Sequence, residues 1–222
     1  MIKTLACIFM LVDHIGFAFF PEMVMFRVVG RLAFPLFAYQ VSTGLLHTTD
    51  TGRYFVRLFS FGLLSQLPYM ALFQTTRLCI LFTFSFAVLL VYFFQNKKYL
   101  ALPFIFIAFA ALDSIYGVAY GLYGLFSVIG FYYLRNNFKH FAGSVVSVPF
   151  FTLLTFFALK DFGTIQVFSL YAVPFFFIRR DFVFIHRYFF YGFYPVHLAL
   201  IWFCTTVIQS DSVQQLYNTL GL

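Results

Sequence analysis

Charge is what this 222-residue chain has least of: 9% of its residues are charged, with seven acids against fourteen lysines and arginines. A soluble domain carries about a quarter. With 63% hydrophobic residues, 38 phenylalanines and a mean hydropathy of +0.92, the apolar surface is too large for one water-soluble core to hide. That excludes a soluble enzyme and a nucleic-acid-binding domain, and it points to an all-α, polytopic integral membrane bundle. Cysteine is scarce too. Cys7, Cys79 and Cys204 are widely spaced in apolar sequence, so no disulfide framework or zinc site can be built from them, and they read as small packing residues. No metal is expected. The first apolar run lacks a small-x-small cleavage site after it and is expected to remain as a span rather than to leave as a signal peptide. Neither a repeat nor a segment suggesting a soluble domain is evident, so residues 1–222 read as a single domain.

What the chain does have is a succession of apolar runs. About nine are long enough, or nearly so, to cross a bilayer: roughly 3–20, 28–47, 54–73, 78–95, 99–112, 115–134, 141–159, 164–178 and 188–208. The block from Leu100 to Leu134 would measure about 50 Å as one helix, too long to span once, and a break is expected at Asp113-Ser114. Alternate loops collect the basic residues. Arg53, Lys97, Lys98, Arg135, Lys139, Arg179, Arg180 and Arg187 fall on one side, and Arg77 and Lys160 on the other, with Arg27 at the mouth of the second span. The positive-inside rule then predicts a cytoplasmic amino terminus and an external carboxy terminus.

Two of the few ionisable residues stand side by side within the first run, in Met10-Leu11-Val12-Asp13-His14-Ile15-Gly16. An isolated Asp deep in a spanning helix costs about 2.5–3.5 kcal/mol, so the pair requires partners or water inside a bundle. His14 is eleven residues from Lys3, about 16 Å along a helix, which places it near the midplane. Adjacent helical residues diverge by about 100°, so Asp13 and His14 line different parts of a cavity wall. The competing interpretation is a polar pair that only holds helices together. His197 is ten residues from Arg187, about 15 Å, and also reaches the midplane. His47, His140 and His186 fall near span ends.

In the second span, Arg27 and Arg31 are one turn apart on one face, where two cations repel unless an acid or an anionic ligand lies between them. Arg31 either snorkels outward or turns inward toward Asp13. Pro35 removes a backbone hydrogen bond close to mid-membrane, which is tolerable where neighbours, water or a cavity satisfy the freed carbonyl.

These residues carry a resemblance. Asp13-His14-Ile15-Gly16, Gly30-Arg31-Leu32-Ala33-Phe34-Pro35-Leu36-Phe37-Ala38-Tyr39, Gly44-x-x-His47-Thr48, Tyr54-x-x-Arg57-Leu58, Ser65-Gln66-x-Pro68-Tyr69 and Tyr194-Pro195-x-His197-Leu198 occur in the order found in the TraX family. The first two motifs are the specific ones. The first two helices are also similar to those of polytopic acetyl-CoA-dependent acetyltransferases such as the lysosomal heparan glucosaminide N-acetyltransferase. The resemblance implies a multi-pass protein of the bacterial inner membrane. Its implied activity is transfer of an acetyl group from cytoplasmic acetyl-CoA to an amine or hydroxyl at the outer face, on a pilin amino terminus or another envelope protein or glycan.

Residues suited to that chemistry can be named. Acyl transfer from a thioester needs a base, and neutral imidazole suits it. His14 is the candidate base, or alternatively a transient acyl carrier. Asp13 would orient the imidazole or bind an acceptor ammonium, and Arg31 would hold Asp13 or an acceptor carboxylate. His197, Asp113, Tyr194 and Gln66 form a second tier of catalytic or acceptor-binding candidates. Arg53, Arg57, Arg179 and Arg180 are candidates for the phosphates of the donor, against a purely topogenic role. Two other classes remain. A proton-coupled transporter also places Asp and His at the midplane, often with broken helices and repeats. A non-catalytic pilus or envelope assembly factor would use the helices for partner contacts and would need no midplane histidine.

Overall fold

The computed structural model describes residues 2–138, 141–178 and 187–208. Among them the chain is all helical, with an isolated bridge between Leu78 and Val118 in place of any sheet. The elements are α1 (Ile2–Phe19), α2 (Val24–Gly30), α3 (Ala33–His47), α4 (Thr51–Phe73), α5 (Ile80–Gln95), α6 (Ala101–Tyr116), α7 (Gly121–Asn137), α8 (Phe141–Phe162), a 3-10 helix (Thr164–Phe177) and α9 (Arg187–Ile208). Among the described residues, five stretches are long and apolar enough to cross a membrane: α1, Val24–His47, α4, Ala142–Phe162 and Phe189–Ile208. Large apolar side chains such as Leu67, Leu100 and Phe104 point outward, as a surface that meets hydrocarbon requires.

The second expected span is broken in two. Pro35 has no N–H to donate to the carbonyl of Arg31, and its ring crowds that carbonyl. The chain turns at Arg31-Leu32, where the amides of Arg31 and Leu32 reach back to Val28 and Val29 in tightened i→i+3 bonds. The long apolar block is also broken, but not at Asp113-Ser114. Helix α6 continues to Tyr116, and the reversal is made by Gly117, at φ 70°, through Tyr120, at φ 63°. Asp113 lies in the last turn, where its carboxylate accepts the amide of Val118 and its carbonyl accepts that of Gly117. It shapes the turn from one residue-cluster upstream, which is why the break falls later than a polar pair alone suggests.

The run expected at 164–178 forms a 3-10 helix rather than an α-helix. At about 2.0 Å per residue, fourteen residues extend about 28 Å, against about 21 Å as an α-helix. Helix α3 is central: ten of its fifteen residues are buried, because it packs against α1, α5, α7 and the 3-10 helix. Small residues bring α1 and α2 together. The space a side chain would need at Gly30 is occupied by Asp13, and at Gly16 by Phe26.

Candidate functional site

Helices α1 and α9 run side by side, and their interiors carry the two deep histidines. Nδ1 of His14 is 2.8 Å from Nε2 of His197, with the rings within 5° of parallel; both residues are buried. Phe193 stacks on His197 at 4.5 Å, and Phe73 meets His14 edge-on at 5.2 Å, so the pair sits in an aromatic sleeve.

The hydrogen bonds assign the tautomers of the uncharged pair. Nδ1 of His197 lies 2.6 Å from the carbonyl oxygen of Phe193. A carbonyl only accepts, so this nitrogen carries the proton and Nε2 of His197 keeps a lone pair. That lone pair must accept from Nδ1–H of His14. Nε2 of His14 is thereby left unprotonated, which is the atom a general base needs. Along α1, His14 is eleven residues from Lys3 and five from Phe19, about 16 Å and 8 Å. It therefore stands beyond the middle of its helix, toward the end where α2 begins.

Asp13 faces away from this pair. Its Oδ1 is 2.9 Å from Nη1 of Arg27, with the two side chains 20% and 29% exposed. The second span thus supplies the partner of Asp13, but through Arg27 and not, as its depth suggested, through Arg31. Gly30 explains the choice: Asp13 is seated against Gly30, one turn after Arg27 on the same face of α2, so Arg27 reaches the carboxylate. Arg31 remains within electrostatic reach of Asp13 and beside Tyr120, and its Nε is buried with no hydrogen-bond partner. One acid between two cations leaves the cluster with one positive charge in excess.

A cavity of about 380 Å³ opens at the other end of these helices, among α1, α3, α4, α5 and α9. Its lining sorts by depth. Lys3, His47, Thr48 and Arg57 lie toward the helix ends and form its rim; Met10, Phe37, Leu81 and Phe84 lie further along their helices and form its floor. Three of these rim residues are basic types, and no acid is among the described residues that line the cavity. Lys3 lies over the ring of Phe190 and Arg57 over that of Tyr54, at 5.6 and 5.7 Å, which holds both cations at the rim. Tyr194, 5% exposed, also lines the cavity and touches His197 edge-on. Met10 and Tyr194 stand one turn before His14 and His197, so the floor is a single layer of side chains from the histidine pair.

The other candidates are dispersed. Arg53 is 83% exposed and paired with Asp50, the residue that caps α4, so it stays outside the cavity that Arg57 lines. Gln66 donates to the carbonyl of Arg77 and accepts from the amide of Cys79, which occupies both ends of its amide in tying down the loop before α5. That loop is joined to the α6–α7 turn, organised by Asp113, through reciprocal bonds of Leu78 with Gly117 and Ala119. Arg179 and Arg180 lie outside the described residues, as do Lys139, His140 and His186. Sequence reasoning did not single out Arg27, Lys3 or Gln40 as site residues. The signal for Gln40 was a carboxamide in the middle of an apolar helix.

Among the described residues, no group of three or more His, Cys, Asp or Glu side chains could hold a metal ion. No solved structure matches the chain. Over 100 residues the chain is 31% identical to an uncharacterized protein from Rickettsia prowazekii (strain Madrid E), a match covering 44% of this chain and 38% of that protein. The chain therefore spans well under two thirds of that relative's length. The family described as TraX protein matches residues 1–205, which takes in the histidine pair, the broken second span and the whole cavity: the chain belongs to the TraX family.

Proposed function

We propose that the protein is a membrane acetyltransferase that takes an acetyl group from acetyl-CoA at the Lys3 end and passes it to an amine or hydroxyl arriving from the Arg27 end. One observation carries this reading. A cavity with a basic rim and an apolar floor ends one side-chain layer from a histidine whose free nitrogen is fixed by a second histidine. The family's association with pilin supports an envelope acceptor. The Lys3 end would face the cytoplasm, in the inner membrane of a bacterium, in keeping with the basic loops on that side.

The donor brings a thioester, whose acetyl–sulfur bond is exchanged for an acetyl–oxygen or acetyl–nitrogen bond. Lys3, His47 and Arg57 would hold its phosphates, and the apolar floor would exclude water from the thioester. His14 Nε2 would take the acceptor's proton as the new bond forms and return it to the departing sulfur. His197 would hold His14 in the productive tautomer and accept hydrogen-bond density from Nδ1–H as charge develops. The Asp13–Arg27 pair and Arg31 would present the acceptor at the opposite side of the imidazole.

The test is transfer of radiolabel from acetyl-CoA by membranes containing the protein, supplied with envelope proteins and glycans. His14→Ala should reduce transfer by about 10²–10⁴-fold while acetyl-CoA binding persists, because a base acts in the transition state. Wild-type transfer in His14→Ala would overturn the role of His14. Proton-coupled solute uptake with no acetyl transfer by the wild type would overturn the enzyme.

A further inference from the structure

Gln40 occupies the most buried helix, lines the cavity, and is 7% exposed; its Oε1 has no hydrogen-bond partner. A carboxamide in an apolar bundle is costly unless both its donor and its acceptor are used. Its companions on the same wall, Phe37, Val41 and Gly44, have no polar side-chain atom to offer. An occupant of the cavity can supply the missing partner, and the best match for a carboxamide is another amide, which donates and accepts at once.

We propose that Gln40 reads an amide of the pantetheine arm, so that the cavity selects thioesters carried on that arm over thioesters of similar size without amides. The inference rests on the acetyl-transfer reading above and adds a specificity residue to it.

Lengths agree with this assignment. From Lys3 to His14 is about 16 Å along α1. The arm has about thirteen bonds between sulfur and the first phosphorus, roughly 15 Å at about 1.2 Å per bond of extended chain. With the phosphates at Lys3 and Arg57, the extended arm is long enough to bring the thioester to the level of His14, across the one layer of side chains that closes the cavity floor. Gln40 is seven residues from His47, about 10 Å inward of the rim, hence about 6 Å short of His14. The two amide nitrogens of the arm lie about three and seven bonds from sulfur, roughly 4 and 8 Å, on either side of that level. The acid nearest the rim among the described residues, Asp50, is paired with Arg53 and does not line the cavity.

The test is calorimetric titration of the purified full chain in detergent with acetyl-CoA, with 4′-phosphopantetheine and with adenosine 3′,5′-bisphosphate. Gln40→Leu should bind the first two about tenfold more weakly and the bisphosphate unchanged, and in the transfer assay KM should rise while kcat holds. Arg57→Gln should weaken acetyl-CoA and the bisphosphate together. Gln40→Met, which keeps the side chain unbranched and close in length, repeats the measurement should the leucine variant not fold. If the wild type binds no acetyl-CoA, the enzyme reading falls and this inference with it. If the wild type binds and both Gln40 variants bind equally well, only the role of Gln40 falls. A matching loss for the bisphosphate would mean a distorted wall and would also overturn it.

Discussion

A carboxylate and a guanidinium held together inside apolar helices contribute mainly through the penalty of separating them, since either alone is a charge in poor solvent. That makes Asp13–Arg27 separable from Arg31 by experiment. In a double-mutant cycle on thermal unfolding in detergent, Asp13→Asn with Arg27→Gln should show a coupling of about 1–3 kcal/mol, discounted toward the lower value because both groups are part-exposed. Asp13→Asn with Arg31→Gln should show a coupling below about 0.5 kcal/mol. Equal couplings would mean that the carboxylate is shared, and the spare capacity of Arg31 would vanish. At this scale the sequence was informative to within one helical turn. Spacing put both arginines on one face and showed that an acid or anion belonged between them. It could not show which arginine reaches Asp13, because that depends on how closely α1 and α2 cross, and the crossing is set by a glycine whose only contribution is absence of a side chain.

Broken helices are where elements of this fold acquire their use. Pro35 ends the hydrogen-bond ladder at Arg31, and the turn at Arg31-Leu32 aims α2 so that Arg27, not the next polar residue, faces α1. Pro35→Ala should let α2 and α3 join as one helix, favoured locally by up to about 3 kcal/mol in propensity. The unfolding temperature should then stay level or rise while acetyl transfer falls at least tenfold, because Arg27 is carried away from Asp13. Transfer at the wild-type rate with raised stability would show that the break is incidental. The proline was legible in the sequence as a disturbance, and its consequence for Arg31 follows from the i−4 rule. The 3-10 helix was not legible. Its residues are as apolar as those of a span, and no local pattern in them separates a 3-10 helix from an α-helix.

For the whole molecule, the informative geometry is the pairing of α1 with α9. Lys3 lies over Phe190 near the start of both helices, and His14 meets His197 further along both, so the two helices run parallel. Parallel helices cross a bilayer in the same direction, and an even number of crossings must begin and end with opposite senses. This favours an odd position for α9 and disfavours an eight-span arrangement, in which α9 would return. Which side α1 starts from is argued from charge. Among the described residues Arg53, Arg57, Lys97, Lys98 and Arg135 gather at the Lys3 end, and Arg135 also serves the bundle there, donating to Thr43 at 2.7 Å and stacking over Tyr39 at 4.1 Å. Composition and periodicity therefore made the all-helical membrane class legible, while the meeting of residues 183 positions apart was beyond any pattern in the chain. Reporter fusions decide the topology. A cytoplasmic reporter after Lys98 should be active, because α5 ends on the amino-terminal side, and an external reporter after Leu222 should be active, because α9 leaves on the opposite side. Cytoplasmic signals from both positions would contradict the parallel pairing. External signals at Lys98 would invert the whole bundle, placing the basic-rimmed cavity on the face away from acetyl-CoA and removing the physical ground for the proposed direction of transfer.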